Sequence, residues 1–273
     1  LPFLYKLIIK QHIFYNKQIL KMPKEKKDLR ILPTKQDEES LIKIHENLMS
    51  VPCLCLQISP PASGKSTIIV NLVFHLFNNG NEPFFKRVIY VSPTVKTDRS
   101  LAGVRKLAED PDNTEIEIQL ITGEHILELE ETLKGIIEYL EEMKEEDKEQ
   151  GIKTALILDD CMAFMKRSIF KSYLTKLCST YRHIGHSLSI FIACQCYKGV
   201  PKAIREMASA MLFGNGISGK TKAEIFEDMV NVFGDDFPEY FEEATNKKYS
   251  YCFCDMREQK IYKNFEKLLY QKN

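Results

Sequence analysis

Net charge is missing from this chain: 38 Lys and Arg offset 38 Asp and Glu over 273 residues. A balanced chain carries no global basic field to grip nucleic acid, which does not exclude DNA contact through a few local loops. Long apolar runs are missing as well. The segment 1–21, LPFLYKLIIKQHIFYNKQILK, comes nearest, but Lys6, Lys10 and Lys17 break it into pieces too short to span a bilayer. It also lacks any acidic residue. Two readings of it stand: a membrane-surface or targeting helix, or upstream read-through ahead of a start at Met22. The second is the expectation, with residues 22–40 as a flexible polar lead-in. Internal repeats are absent, which excludes solenoid arrays. An arginine-rich lid is absent too, which weighs against a small-molecule or nucleoside kinase.

What is present includes eight cysteines, six of them in C-x-C pairs: Cys53/Cys55, Cys194/Cys196 and Cys252/Cys254. Each pair lies in an apolar, strand-like run, where residues two apart share a face. Zinc sites usually use C-x2-C or wider spacing. The pairs read as buried, reduced core thiols of an intracellular protein, with a metal or disulfide role as the alternative.

Apolar strand-like runs alternate with helical stretches. CLCLQIS (53–59), RVIYVSP (87–93), EIQLIT (117–122), TALILDD (154–160), SLSIFIACQ (187–195) and SAMLFG (209–214) read as strands. KSTIIVNLVFHLF (65–77) has helical spacing, with Ile68, Leu72, His75 and Leu76 near one face. Residues 124–150 read as one amphipathic helix carrying Ile126, Leu129, Leu133, Ile136, Leu140 and Met143 towards the sheet. Gly135 weakens its middle by about 1 kcal/mol relative to Ala. A partner-binding projection is the alternative for that segment. YSYCFCDM (249–256) and KIYKNF (260–265) close the chain as a hairpin. Such strands with helical connections predict an α/β fold, a mainly parallel central sheet with helices on both faces. The length suffices for one large or two modest domains with a well-buried core, and the expected layout is an N-terminal extension over 1–40 and a single domain over 41–273.

Two stretches compete as phosphate-binding loops. GNGISGKT (214–221) fits G-x-x-x-x-G-K-[ST] letter for letter, whereas SPPASGKS (59–66) has Ser59 in place of the first glycine and two prolines after it. Letters are not enough. Such a loop needs a strand before it, a helix N-terminus facing the anion, and a second strand that delivers an Asp to magnesium. The upstream loop has all three: CLCLQIS leads in, a helix starts near Lys65, and ALILDD follows. The downstream loop has only 52 residues after it (273 − 221), too few for a further five-stranded sheet. It reads as a strand-to-helix connection in which Ser218 or Thr221 caps a helix, with a circularly permuted site as the alternative. In the upstream loop Ala62, Ser63, Gly64, Lys65, Ser66 and Thr67 all have free amides for a phosphate cradle, and Pro60 and Pro61 sit on the strand side where no N–H is needed. Lys65 is placed to reach the outer phosphates of a nucleotide, and Ser66 to offer its hydroxyl to Mg2+.

The acids of LILDD suit hydrolysis. Asp159 at the strand end suits magnesium, and Asp160 is placed to polarise an attacking water, unless the pair merely caps the next helix. Gln195 ends another apolar strand, where it senses the outer phosphate, aligns water or is simply solvated. Arg182 and Arg205 are the arginines that could reach a neighbouring subunit's nucleotide, an action that accelerates hydrolysis by about 10³–10⁵; both also suit surface ion pairs. KRSIFK (166–171) is either a basic grip on DNA phosphates or a solvated helix face.

In this order, SPPASGKST, YVSPT, LILDD, YRHIGHSLSIFIACQ, VPKAIREMAS and KKYSYCFCDM with KIYKNF resemble the genome-packaging ATPases of nucleocytoplasmic large DNA viruses and virophages, of the FtsK–HerA class. The resemblance spans residues 50–268. It implies a P-loop NTPase fold of the ASCE/RecA-like kind and an ATP-hydrolysing translocase that packages double-stranded DNA. It also implies a homo-oligomeric ring around DNA and capsid-protein partners, in a virion or a cytoplasmic viral factory, with no membrane role. By it Lys65, Ser66, Asp159, Asp160 and Gln195 take phosphate, magnesium, water-activating and sensing roles. Arg182 becomes the arginine acting across subunits, with Arg205 second. Ser59 and the prolines depart from the family pattern. A nucleoside kinase and a non-catalytic ATP-binding scaffold are the alternative functions.

Overall fold

The computed structural model describes residues 41–80, 82–122, 129–161 and 168–272. The segments 1–21 and 22–40, the proposed start at Met22, residues 124–128 of the acidic stretch, and Lys166 and Arg167 of the basic one lie outside the described residues. Contacts divide the chain into Leu1–Glu38 and Glu39–Asn273, and all that follows concerns the second unit.

Nine strands form one sheet: β1 Leu54–Ile58, β2 Arg87–Val91, β3 Glu117–Ile121, β4 Thr154–Asp159, β5 Leu188–Cys194, β6 Ala210–Gly214, β7 Tyr251–Asp255, β8 Lys260–Lys263 and β9 Lys267–Gln271. Their spatial order is β9-β8-β7-β6-β1-β5-β4-β2-β3. The strands from β6 to β3 are mutually parallel, whereas β7, β8 and β9 add an antiparallel meander. The closing hairpin thus has a third strand, β9, whose alternation of Lys, Leu and Tyr is too short and too half-buried to stand out in sequence.

Among the described residues the α-helices are α1 Lys65–Asn71, α2 Ala102–Glu109, α3 Leu129–Glu142, α4 Lys144–Gln150, α5 Ser168–Thr180, α6 Lys202–Met207, α7 Gly219–Phe233 and α8 Phe237–Ala244. The sheet is buried on both faces, so its parallel strands are near-continuous apolar runs and successive side chains enter opposite layers. Leu54, Leu56 and Ile58 of β1 join one core with residues of α3, α5, α7 and α8. Cys53 and Cys55 join the other, with α1 and α2.

Three expectations change. In 65–77 the buried apolar positions are Ile69, Leu72, Val73 and Phe77, while His75 and Leu76 are exposed. The cause is a π-helical turn over Leu72–Leu76, closed by Phe77 N–H donating to the Leu72 carbonyl (3.0 Å), which rotates later residues off a 3.6-residue stripe. The acidic helix divides at Met143 into α3 and α4, though Leu133, Ile136 and Leu140 enter the core and Gly135 leaves α3 continuous. Of the C-x-C cysteines, Cys196 lies beyond the end of β5 and is exposed; the other five are buried, and all eight cysteines are free thiols.

Among the described residues no helix is long and apolar enough to cross a membrane, and no cluster of three or more His, Cys, Asp or Glu could hold a metal ion.

Candidate functional site

Parallel strands point their carboxyl ends to one edge of the sheet, and the register brings three loops to one level there. Ile58 pairs with Cys194, and Asp159 with Ala193. Ser59 N–H donates to the Cys194 carbonyl (3.0 Å) and Asp160 N–H to the Ala193 carbonyl (3.1 Å). The loop after β1, the acids after β4 and Gln195 after β5 therefore meet.

The loop 59–64 enters α1 through Gly64, whose φ of 87° is left-handed and suits glycine. Ser63 Oγ donates to the Pro60 carbonyl (2.6 Å), closing the turn. No side chain caps α1. The amides of its first turn thus have no side-chain competitor for an anion.

Lys65 Nζ lies 3.1 Å from Asp159 Oδ1 and 3.2 Å from Asp160 Oδ1. Burial works against its charge, but Asp159 and then Asp160 outweigh that and hold its pKa above the ordinary lysine value. Ser66 Oγ donates to Asp159 Oδ2 (2.7 Å), as does the phenol of buried Tyr90 (2.8 Å). Burial and then the Asp159 charge push the Tyr90 phenol well above its usual range, so it remains a donor. Gln195 Nε2 donates to both oxygens of Asp160, at 2.9 and 3.2 Å. Asp160 has a left-handed backbone, φ 59°, a conformation costing about 1–3 kcal/mol.

These groups line a cleft of about 870 Å3, with Pro60 to Ile68 on one side and Asp159, Asp160 and Gln195 on another. Thr94, Thr97, Asp98 and Ser100 from the loop after β2, and Tyr249, complete its wall. Sequence reasoning missed these, and Tyr90. Thr94 stands in YVSPT and Tyr90 begins it; Tyr249 is brought in by chain closure alone.

No residue of 214–221 lines the cleft. Ser218 Oγ accepts from Thr221 N–H (3.4 Å) and caps α7, and Lys220 is exposed. Arg182 is exposed on the turn Tyr181–His183 ahead of β5, at the opposite edge of the sheet, with its guanidinium 5.6 Å from the Tyr181 ring centroid. Arg205 is 8% exposed, stacked 4.4 Å over Tyr197 and 3.5 Å from Asp228, so its cation is engaged inside its own chain.

Neither a family model nor a curated protein sequence matches the chain. Solved structures do. The genome-packaging NTPase of Sulfolobus turreted icosahedral virus 2 in complex with sulfate is 13% identical with a TM-score of 0.52, covering 77% of this chain and 94% of that one. The same NTPase in complex with ATP-gammaS is 14% identical at a TM-score of 0.52, covering 77% and 96%. The fold is that of a P-loop NTPase. The pCW3 conjugation coupling protein TcpA, as a monomer with ATPgS, shares it at 13% identity and a TM-score of 0.50, covering 80% of this chain and 63% of that one. In this chain 59–64 joins β1 to α1, and β4 is the strand that ends in Asp159 with Asp160 next to it.

Proposed function

We propose that this chain is an ATP-hydrolysing translocase that packages viral double-stranded DNA into capsids. The observation that carries the reading is the convergence of Lys65, Ser66, Asp159, Asp160 and Gln195 from three strand ends in one cleft. The amides of Ala62, Ser63, Gly64, Lys65, Ser66 and Thr67 would receive the phosphates of ATP. Lys65 would exchange its two carboxylate partners for phosphate oxygens.

The donor set fits Mg2+. The Ser66 hydroxyl and the Asp159 carboxylate meet at 2.7 Å, a sparse pair of hard oxygens of the kind that Mg2+ shares with water and phosphate. When bound, the ion would neutralise charge on the phosphate oxygens. Tyr90 holds the Asp159 carboxylate in place. Asp160 would orient and polarise the attacking water, and Gln195 fixes that carboxylate through both oxygens. Arg182, exposed and far from its own cleft, is suited to a neighbouring subunit's nucleotide, whereas the burial and pairing of Arg205 favour a structural role.

This reading takes 41–273 as one ATPase domain behind the extension 1–40. Its partners are further copies in a ring, double-stranded DNA and capsid proteins. The setting is reducing, a virion or a cytoplasmic viral factory. The viral packaging NTPase with the same fold supports the reading.

The test is phosphate release with and without duplex DNA across a salt series. DNA should stimulate hydrolysis, and the stimulation should fall steeply with salt as counterion release weakens binding. Hydrolysis indifferent to DNA would overturn the translocase. ATP binding without phosphate release would indicate a scaffold, and phosphoryl transfer to a nucleoside a kinase.

A further inference from the structure

Tyr249 is a large aromatic residue that is 57% exposed yet borders the cleft. It lies on the turn between α8 and β7, at the edge of the phosphate loop. A β-carbon built on Gly64 would stand 3.5 Å from Tyr249 Cδ1, so the ring abuts the loop's left-handed glycine. The Lys248 ammonium sits 4.8 Å from the ring centroid.

The turn holding this ring is itself constrained. Tyr249 has φ 65°, a left-handed backbone uncommon for a bulky residue. Asn215 secures it from the neighbouring strand end: its backbone N–H donates to the Ser250 carbonyl (3.0 Å), and its Nδ2 donates to the Thr245 carbonyl (2.5 Å). Ser250 Oγ accepts from Lys247 N–H (3.1 Å) and donates to the Lys247 carbonyl (2.6 Å). Four hydrogen bonds hold the turn that presents this exposed ring beside the proposed phosphate loop, with the Lys248 ammonium over its face. A preorganised aromatic face suits a flat heteroaromatic ring, which it binds at low entropic cost.

We propose that Tyr249 stacks on the nucleobase of the bound nucleotide, which rests on the nucleotide reading of the cleft. Stacking engages the π-face that every base has, so it favours large purines and discriminates weakly between adenine and guanine. Asn215, within the motif-like stretch 214–221, acts as a positioning residue for that turn.

The chain contains no tryptophan, so Tyr249→Trp introduces a single fluorescent reporter. ATP should quench its emission, whereas inorganic tripolyphosphate, which has no base, should not. Calorimetry gives the second readout. Tyr249→Ala should weaken ATP binding by about 5- to 100-fold, the range that base–aromatic stacking supplies, and leave tripolyphosphate affinity unchanged. Tyr249→Phe should bind both as the unaltered chain does. Unchanged ATP affinity in Tyr249→Ala, or equal loss of ATP and tripolyphosphate, would overturn the stacking proposal alone. An unaltered chain that binds neither probe would overturn the nucleotide site and the stacking with it.

Discussion

Gly214 makes room for Ser59. A methyl group added at Gly214 would overlap Ser59 Oγ and come within 3.0 Å of its Cβ. Ser59 is fully buried, and its hydroxyl has no hydrogen-bond partner among the described residues. The first letter of the well-matched motif thus accommodates the residue that departs from the pattern in the proposed phosphate loop. Gly216 also lies beside Pro60, where an added Cβ would stand 3.5 Å from its Cγ in ordinary contact.

Gly214→Ala should therefore cost about 1–3 kcal/mol, the usual penalty of overpacking. Ser59→Gly in the same chain should restore most of it. Denaturant midpoints for the two single variants and the pair measure this. Equal destabilisation with and without Ser59 would show that the two residues are not coupled.

Lys65 and Lys220 separate the two loops. Lys65→Ala should abolish ATP binding and hydrolysis, and Lys220→Ala should leave both near normal. Asp160→Asn should keep ATP binding while lowering the hydrolysis rate by about 10²–10⁴-fold, the range of a positioned general base. Equilibrium ATP binding beside steady-state phosphate release reads all three. Loss of binding in Lys220→Ala would move the nucleotide to the downstream loop.

Arg182 is tested by mixing. Arg182→Ala alone should be inactive because no subunit supplies the arginine. Lys65→Ala alone should be inactive because no subunit holds ATP. A mixed oligomer contains sites where a Lys65→Ala subunit offers Arg182 to an intact loop, so hydrolysis should reappear in the mixture. Mixtures as inactive as their components would place Arg182 outside the reaction.

The thiols give a pH prediction. Burial pushes Cys53, Cys178 and Cys194 up to about 12, so in the folded chain they stay protonated and unreactive. In the native state a thiol reagent should label exposed Cys196 quickly, and all eight only on unfolding. The folded pKa values lie above the unfolded value of 9.0. Their contribution to stability is therefore full below 9.0 and is lost as pH rises from there towards about 12. Denaturant midpoints across that window check the sign; rapid labelling of several native thiols would contradict the burial.

Much of the site was legible because strand ends are readable. Apolar runs that stop in a polar letter, as at Ser59, Asp159 and Gln195, mark where buried strands meet the edge of a sheet. Lys65 and Ser66 follow from the turn into a helix. The π turn in 65–77 and the break at Met143 were not legible, because both depend on how a helix is pressed against the sheet. The meander's last strand was hidden for a similar reason: β9 is an edge strand, and half-buried edges carry little periodic signal.

The sequence by itself determined the alternation of strands and helices and the acids at the end of β4, and it grounds the proposed preference for 59–66 over 214–221, since each depends on local pattern and chain order. Only the tertiary structure decided that Gly214 serves Ser59, that Arg205 is engaged within the core, and that Tyr249 stands beside Gly64. Those pairings join residues far apart in the chain, and their closeness follows from strand order and register, which no local spacing encodes.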